Sequence, residues 1–320
     1  MSKTNRPKGY LRFYPLLKWI FSALSVYFFI RQLRSVEEDL FGGIITGLVG
    51  HPYVFAVIVL LALVNWNAEA QKFKMLIAAV VDLSNIRALL TILGGMAISN
   101  FTPARTGEYI GRGLLLKSIH PIKVVIATVA GNIAQVFMTY SLGLICIAAA
   151  LLCTDFGGGF THGYKLLYVG ILCILMLGFI ARVKRILPWV MQRLPGKLAN
   201  TLSLIQKYDK KLYSKVVGVA FLRYAVFASQ FYLLLQLFSG FVMPISVLAL
   251  IPIAYLMQSL VPVPAVSDVG VRVVVSQMLF GAFLTDDAIL KAVTCIWFIN
   301  LILPGILGTI YLLTSTIQKR

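Results

Sequence analysis

Two short strings hold most of the side chains in this sequence that could do chemistry. The first reads Pro103-Ala104-Arg105-Thr106-Gly107-Glu108 and continues to Arg112; the second reads Pro264-Ala265-Val266-Ser267-Asp268 and continues to Gly270 and Arg272. Glu108 lies three residues after Arg105, and Arg112 four after Glu108, so a helix would put all three on one face. Asp268 and Arg272 repeat the four-residue spacing. Such pairs can brace a buried hairpin. They can also bind an anion, because an arginine presents a planar fork of donors that matches phosphate. Each proline ends the helix before it, and a new helix would begin near Thr106 and near Asp268 to Gly270. The free amides and positive dipole ends of those helices add to an anion site. Thr106 and Ser267 fit either an N-cap or a ligand role. Asn100, Asn132 and Gln135 could line the same cavity, the last two being three apart and facing one direction. So could Arg223, Gln230, Gln258, Ser259 and Asn300, although any of these amides also suits a helix–helix hydrogen bond.

Other chemistries find no support. The sequence contains no GxSxG, Walker A or HExxH string and no close aspartate pair, which argues against an enzyme and against an ATP-driven pump. Cys146, Cys153, Cys173 and Cys295 sit in apolar stretches without CxxC spacing, and His51, His120 and His162 are isolated, so neither metal nor cofactor is expected.

The elements that must position these residues are membrane helices. Of the 320 residues 59% are apolar and 12% charged, against about 25% charged in an average soluble domain, and mean hydropathy is +0.89. A bilayer-crossing helix needs about 20 mostly apolar residues. Such segments fall near 13–31, 43–65, 122–153, 165–181, 216–238 and 290–314. Four shorter ones, 87–100 with 106–117 and 244–261 with 270–283, form two pairs, each split by one of the Pro-bearing strings. The expected fold is an all-α polytopic membrane protein with about six full spans and two re-entrant helical hairpins.

Charge orients the chain. The formal net charge is +18; in a membrane protein this marks cytoplasmic loops against anionic lipid rather than nucleic-acid binding. With the N-terminus inside and each hairpin returning to its own side, only Arg31, Arg34, Lys165 and Lys291 face outward. Arg105, Arg223 and Arg272 stay in the membrane, and all other basic residues, Lys72 and Arg112 included, lie in cytoplasmic segments. Glu108 and Asp268 are then the membrane-embedded acids. Both termini fall in the cytoplasm, and the basic, apolar N-terminal stretch reads as a retained first helix. Residues 43–153 run span, inward-opening hairpin, span; residues 216–314 run the same unit with opposite orientation. An inverted repeat of this kind is a common transporter design. The chain is read as one integral domain, 1–320, with a basic amphipathic connector at 182–214 on the cytoplasmic leaflet.

The string NFTPARTGEYIGRGLLL at 100–116 resembles the N-x-x-P-A-R-x-G-E motif of the lysylphosphatidylglycerol synthase/flippase transmembrane family, also called flippase-like or YbhN-like integral membrane proteins. PVPAVSDVGVR at 262–272 resembles its second motif, although Val273 stands where the family often has Glu and Asp268 supplies the acid. NWNAEAQKFK at 65–74 is similar to its early Trp/basic stretch. The resemblance covers nearly the whole chain. It implies a bacterial cytoplasmic (inner) membrane protein that moves lipid between leaflets, with Asn100, Pro103, Arg105, Gly107, Glu108, Gly270 and Arg272 as functional positions.

Residues and resemblance together lead to a flippase or lipid transporter whose partner is a membrane phospholipid or other phosphate-bearing lipid. Asn100, Arg105, Thr106, Gly107, Glu108, Arg112, Asn132, Gln135, Ser267, Asp268, Gly270 and Arg272 form its expected site. A second copy of the chain or a lipid-modifying enzyme would be compatible protein partners. The alternatives are an intramembrane enzyme or enzyme partner acting on a polyprenyl-phosphate or phospholipid, and a small-ion channel or carrier.

Overall fold

A computed structural model describes residues 40–100, 105–116, 118–153, 208–240, 242–261 and 267–314, together with Tyr27, Thr102 and Val263. The expected spans 13–31 and 165–181 and most of the 182–214 connector lie outside these residues. What is described is all-helical, with no strand. In chain order the helices are α1 (Leu40–Gly50), α2 (Pro52–Ile77), α3 (Asn85–Ser99), α4 (Gly107–Leu115), α5 (Pro121–Cys153) and α6 (Lys210–Ser239). There follow a 3-10 turn (Ile245–Ala249), α7 (Leu250–Ser259), α8 (Asp268–Phe280), α9 (Asp286–Trp297), a π-helical turn (Phe298–Ile302) and α10 (Leu303–Thr314). Among the described residues four helices are long and apolar enough to cross a membrane: Pro52–Ile77, Pro121–Ala150, Lys210–Ser239 and the continuous Asp286–Thr314.

The segment expected at 43–65 is displaced. Pro52 disfavours helical geometry in His51 before it, and His51 sits at φ −128°, ψ 66°. The helix therefore restarts at Pro52, whose missing N–H costs nothing in the first turn, and runs on to Ile77. Ala68, Glu69, Ala70, Gln71 and Lys72 are all good helix formers. What reads as the start of a polar loop is the last third of a helix long and apolar enough to cross a membrane. Tyr208 fastens that end of α2 by donating to the Leu76 carbonyl at 2.9 Å, and burial pushes its phenol above the ordinary range, so it stays a donor.

Caps fix three other helix starts. Ser84 accepts from the Arg87 amide at 3.2 Å, Asp209 from Leu212 at 2.7 Å and Thr285 from Ala288 at 3.3 Å. Each satisfies an amide that has no partner inside its helix. The last span carries Pro304, which cannot donate within the helix. The π turn just before it absorbs the mismatch, a known way of keeping a helix continuous around a defect.

Packing is shared across the chain. α2 lies along α6, α3 along α10, and α7 along α5, while α3–α4 and α7–α8 pack as two hairpins. In the first hairpin close approach is made possible by glycine. A Cβ on Gly111 would meet the Gly94 carbonyl oxygen at 2.7 Å, and one on Gly107 the Ile98 oxygen at 2.6 Å. Small residues four apart allow such contact between membrane helices. The larger apolar core gathers Tyr224, Phe231, Val247, Ile251, Phe280 and Ile289 from the second half around Ile58 and Trp66 of α2. Cys295 is buried there as a small apolar residue.

Candidate functional site

The two hairpin ends that carry Arg105 and Asp268 lie within electrostatic reach of each other. Arg105, in the tip of the first hairpin, feels the charges of Asp268 and Arg272 from the second, together with those of Glu108 and Arg223. Among the described residues it is the one non-glycine residue with a left-handed backbone, φ +56°. For a side chain with a Cβ that conformation costs roughly 1–3 kcal/mol, and such strain concentrates at functional sites. Its amide donates to the Thr102 carbonyl at 3.2 Å, and Thr102 Oγ1 accepts from the Gly107 amide at 2.7 Å. The cap of α4 therefore comes from Thr102. Neither Thr106 nor Ser267 uses its side chain to cap the helix that follows, so of the two roles open to them from the sequence the N-cap is not taken. The Gly107 amide is engaged by Thr102 and its Cα is pressed against α3, so the residue serves the hairpin rather than offering a free donor. Gly270 is buried on α8.

Behind the tips lies a buried ion network, only part of which is set by spacing within one helix. Glu69 is 3% exposed, so the embedded acids are not limited to Glu108 and Asp268. One oxygen of Glu69 meets Lys72 Nζ at 2.6 Å and Arg223 Nη1 at 3.1 Å; the other accepts from Arg112 Nη2 at 3.1 Å. The same Arg112 nitrogen pairs with Glu108, its Nη1 donates to Thr128 Oγ1 at 3.4 Å, and its guanidinium stacks 4.9 Å over the Phe73 ring. Lys72 and Arg112, assigned to cytoplasmic segments by the charge pattern, are instead each 1% exposed inside the bundle. The reason is local: both point at acids on their own or a neighbouring helix, and pairing removes the cost that would otherwise drive them to water.

Arg223 links this network to the helix interior. Its Nε donates to Asn65 Oδ1 at 2.9 Å and its Nη1 to Gln135 Oε1 at 3.3 Å. Asn65 donates to Asn300 at 2.6 Å, Asn300 to Gln230 at 3.1 Å, and Gln230 to the Ile58 carbonyl at 2.9 Å. Asn300 sits in the π turn, so the irregular backbone of the last span is tied to α2 and α6 through these amides. On the second tip, Arg272 donates to Asp268 at 2.7 Å and to Gln258 Oε1 at 3.3 Å.

Of the expected site residues, Arg105, Glu108, Arg112, Asp268 and Arg272 come together, and Gln135 joins them through Arg223. Asn132 is half-buried one turn before Gln135 on α5. Asn100 faces elsewhere: its amide donates to the Leu301 carbonyl at 2.9 Å and braces α3 against the last span. Glu69, Lys72, Asn65, Thr102 and Thr128 are the residues missed. The spacing of Asn65, Glu69 and Lys72, four and then three, was the available signal for one polar helix face.

The family described as Lysylphosphatidylglycerol synthase TM region matches residues 15–308. The chain belongs to that family. No curated protein is similar enough to count as a match. Membership in the lysylphosphatidylglycerol synthase TM family connects this multi-pass helical membrane protein with membrane lipids. Both Pro-bearing strings, and with them the convergent arginines, lie inside the matched region.

Proposed function

We propose that this member of the family is a lipid transporter that passes a phosphate-bearing lipid between leaflets through a site at the two hairpin tips. The observation that carries the reading is that Arg105 of one tip lies within electrostatic reach of the Arg272–Asp268 pair of the other, itself closed at 2.7 Å. Two separate re-entrant-length hairpins are directed to one polar point, with Arg223 beside it. An ionised group at bilayer depth costs at least about 2.5 kcal/mol without a partner or water, and a purely structural tip would avoid that cost by being apolar. Tip arginines suit a phosphodiester because each can donate two parallel hydrogen bonds. Asp268 and Glu108 hold them in place.

The helix pairing supports an inverted-repeat architecture for this role. If α2 corresponds to α6, the α3–α4 hairpin to α7–α8, and α5 to the α9–α10 span, then α2 on α6 pairs equivalent elements. By the same correspondence α3 on α10 and α7 on α5 are equivalent contacts. A pseudo-two-fold of this type places its site between the repeats. The protein would sit in the bacterial inner membrane with both termini cytoplasmic. The role involves no bond-making step, so lipid should emerge unchanged.

The test is reconstitution of the full chain in proteoliposomes with headgroup-labelled phosphatidylglycerol, following leaflet transfer by chemical quenching and lipid identity by mass spectrometry. Accelerated transfer of unaltered lipid is expected. Arg105→Lys, which keeps the charge and loses the planar fork, should reach the membrane and transfer lipid at least about tenfold more slowly. Transfer no faster than in protein-free vesicles, or a new lipid product, would overturn the reading.

A further inference from the structure

The charge balance of the tip site selects among phosphate-bearing lipids. Among the described residues, the network and tips bring together Lys72, Arg105, Arg112, Arg223 and Arg272 with Glu69, Glu108 and Asp268. Basic groups outnumber carboxylates by two. The excess is not spread evenly. Lys72 and Arg112 are sealed at 1% side-chain exposure against Glu69 and Glu108, whereas Arg223 keeps 21% and Arg272 14%, and Arg105 is half-buried. The open positive charge therefore belongs to three arginines that share Asp268 and one edge of Glu69.

A site inside a membrane cannot hold two uncompensated cations without an anion or water to balance them. We infer that the arginines Arg105, Arg223 and Arg272 form a receptor for a doubly charged phosphate monoester carried by a lipid, such as the phosphatidate headgroup. This rests on the lipid-transport reading and narrows it. A phosphodiester headgroup brings one negative charge and leaves the site positive. A lysylphosphatidylglycerol headgroup, with two amines on one phosphodiester, is itself a net cation and would be repelled. Three forked donors also match the three free oxygens of a monoester better than the two of a diester. Arg223 is the specificity element, because its guanidinium comes from α6 rather than from either tip and supplies the third donor.

The experiment uses the reconstituted full chain in phosphatidylcholine vesicles containing a trace of acyl-labelled phosphatidate, phosphatidylglycerol or lysylphosphatidylglycerol, each compared with protein-free vesicles. Near pH 7.5, phosphatidate should transfer at least about tenfold faster than phosphatidylglycerol, and lysylphosphatidylglycerol slowest of all. The second ionisation of a phosphate monoester lies near pH 6, so the preference should shrink as pH falls to about 5. Arg223→Gln should bring the phosphatidate rate down toward that of phosphatidylglycerol, and Arg223→Lys, which keeps the charge but loses the fork, should do so less completely. If Arg223→Gln fails to fold, the lipid ranking and its pH dependence in the unaltered protein decide the matter. Equal or faster transfer of phosphatidylglycerol or lysylphosphatidylglycerol would overturn the dianion assignment and leave lipid transport standing. No lipid transfer above protein-free vesicles would overturn the transport reading beneath it. Uptake of radiolabelled inorganic phosphate without lipid transfer would show the anion to be free phosphate and overturn the lipid source.

Discussion

Replacing Glu69 with Gln is the sharpest probe of the buried network, because one carboxylate holds three cations on three helices. Lys72, Arg112 and Arg223 all lie within 3.1 Å of its oxygens. Glutamine keeps the shape and removes the charge, so the local excess of basic groups grows by one. Breaking a buried ion pair costs about 3–5 kcal/mol. Each kcal/mol moves the melting temperature of a 150–250-residue domain by about 2–4 °C, and a chain of this length lies at or below the small end of that range. A fall of roughly 6–10 °C is therefore expected in the apparent melting temperature of detergent-purified protein, read by intrinsic tryptophan fluorescence. Trp66 is buried one turn before Glu69 and should report the change. The charge argument makes a further demand. Adding Lys72→Met to Glu69→Gln removes the cation nearest the lost carboxylate and should recover much of the drop, giving a coupling of at least about 1 kcal/mol in a double-mutant cycle. A Glu69→Gln protein melting within about 2 °C of the wild type, or a double mutant no better than the single, would refute the view of Glu69 as the electrostatic centre.

Three further outcomes are expected. Cysteines at Asp82 and His120, which are exposed at the two ends of the first hairpin, should label from the same side of the membrane. Those at Val242 and Ala282 should label from the other side, and opposite-side labelling within either pair would end the re-entrant reading. Arg105→Gly should melt higher than Arg105→Ala by an amount worth roughly 1 kcal/mol, because glycine accepts φ +56° without strain, while both should lose transport. Equal melting would mean the tip relaxes around alanine. Gly111→Ala should destabilise by about 1–3 kcal/mol, since its Cβ would press on the Gly94 carbonyl at 2.7 Å, and an unchanged melting temperature would show that the hairpin opens at no cost.

How much of this was legible in the sequence depends on whether a signal is local. The first hairpin was, because its apolar segments at 87–100 and 106–117 are broken by Pro103 and its arms form at Asn85–Ser99 and Gly107–Leu115. The pairing of Asp268 with Arg272 and of Glu108 with Arg112 was also legible, being set by the pitch of a helix. Glu69 was not, since a run containing Asn, Glu, Gln and two lysines resembles a water-facing helix end in composition. Its burial depends on Arg112, 43 residues away, and on Arg223, 154 further on than Glu69 itself. The strained backbone of Arg105 and the cap supplied by Thr102 were equally out of reach, because they follow from how tightly Gly107 and Gly111 let α4 close on α3.

The positive-inside count treats Lys72 and Arg112 as water-facing cations, and their burial changes what they can report. That count assumes that a cation in or beside a span is either in water or out of place. Here Lys72 and Arg112 are dry and paired, so they carry no information about sidedness and much about the site. Once they are moved from loop to interior, the basic groups around the tips exceed the acids, although the tips taken alone nearly balance. A phosphate receptor read from Arg105 and Arg272 would accept any anionic headgroup. With the α2 network and Arg223 counted, its preference turns toward the more highly charged one.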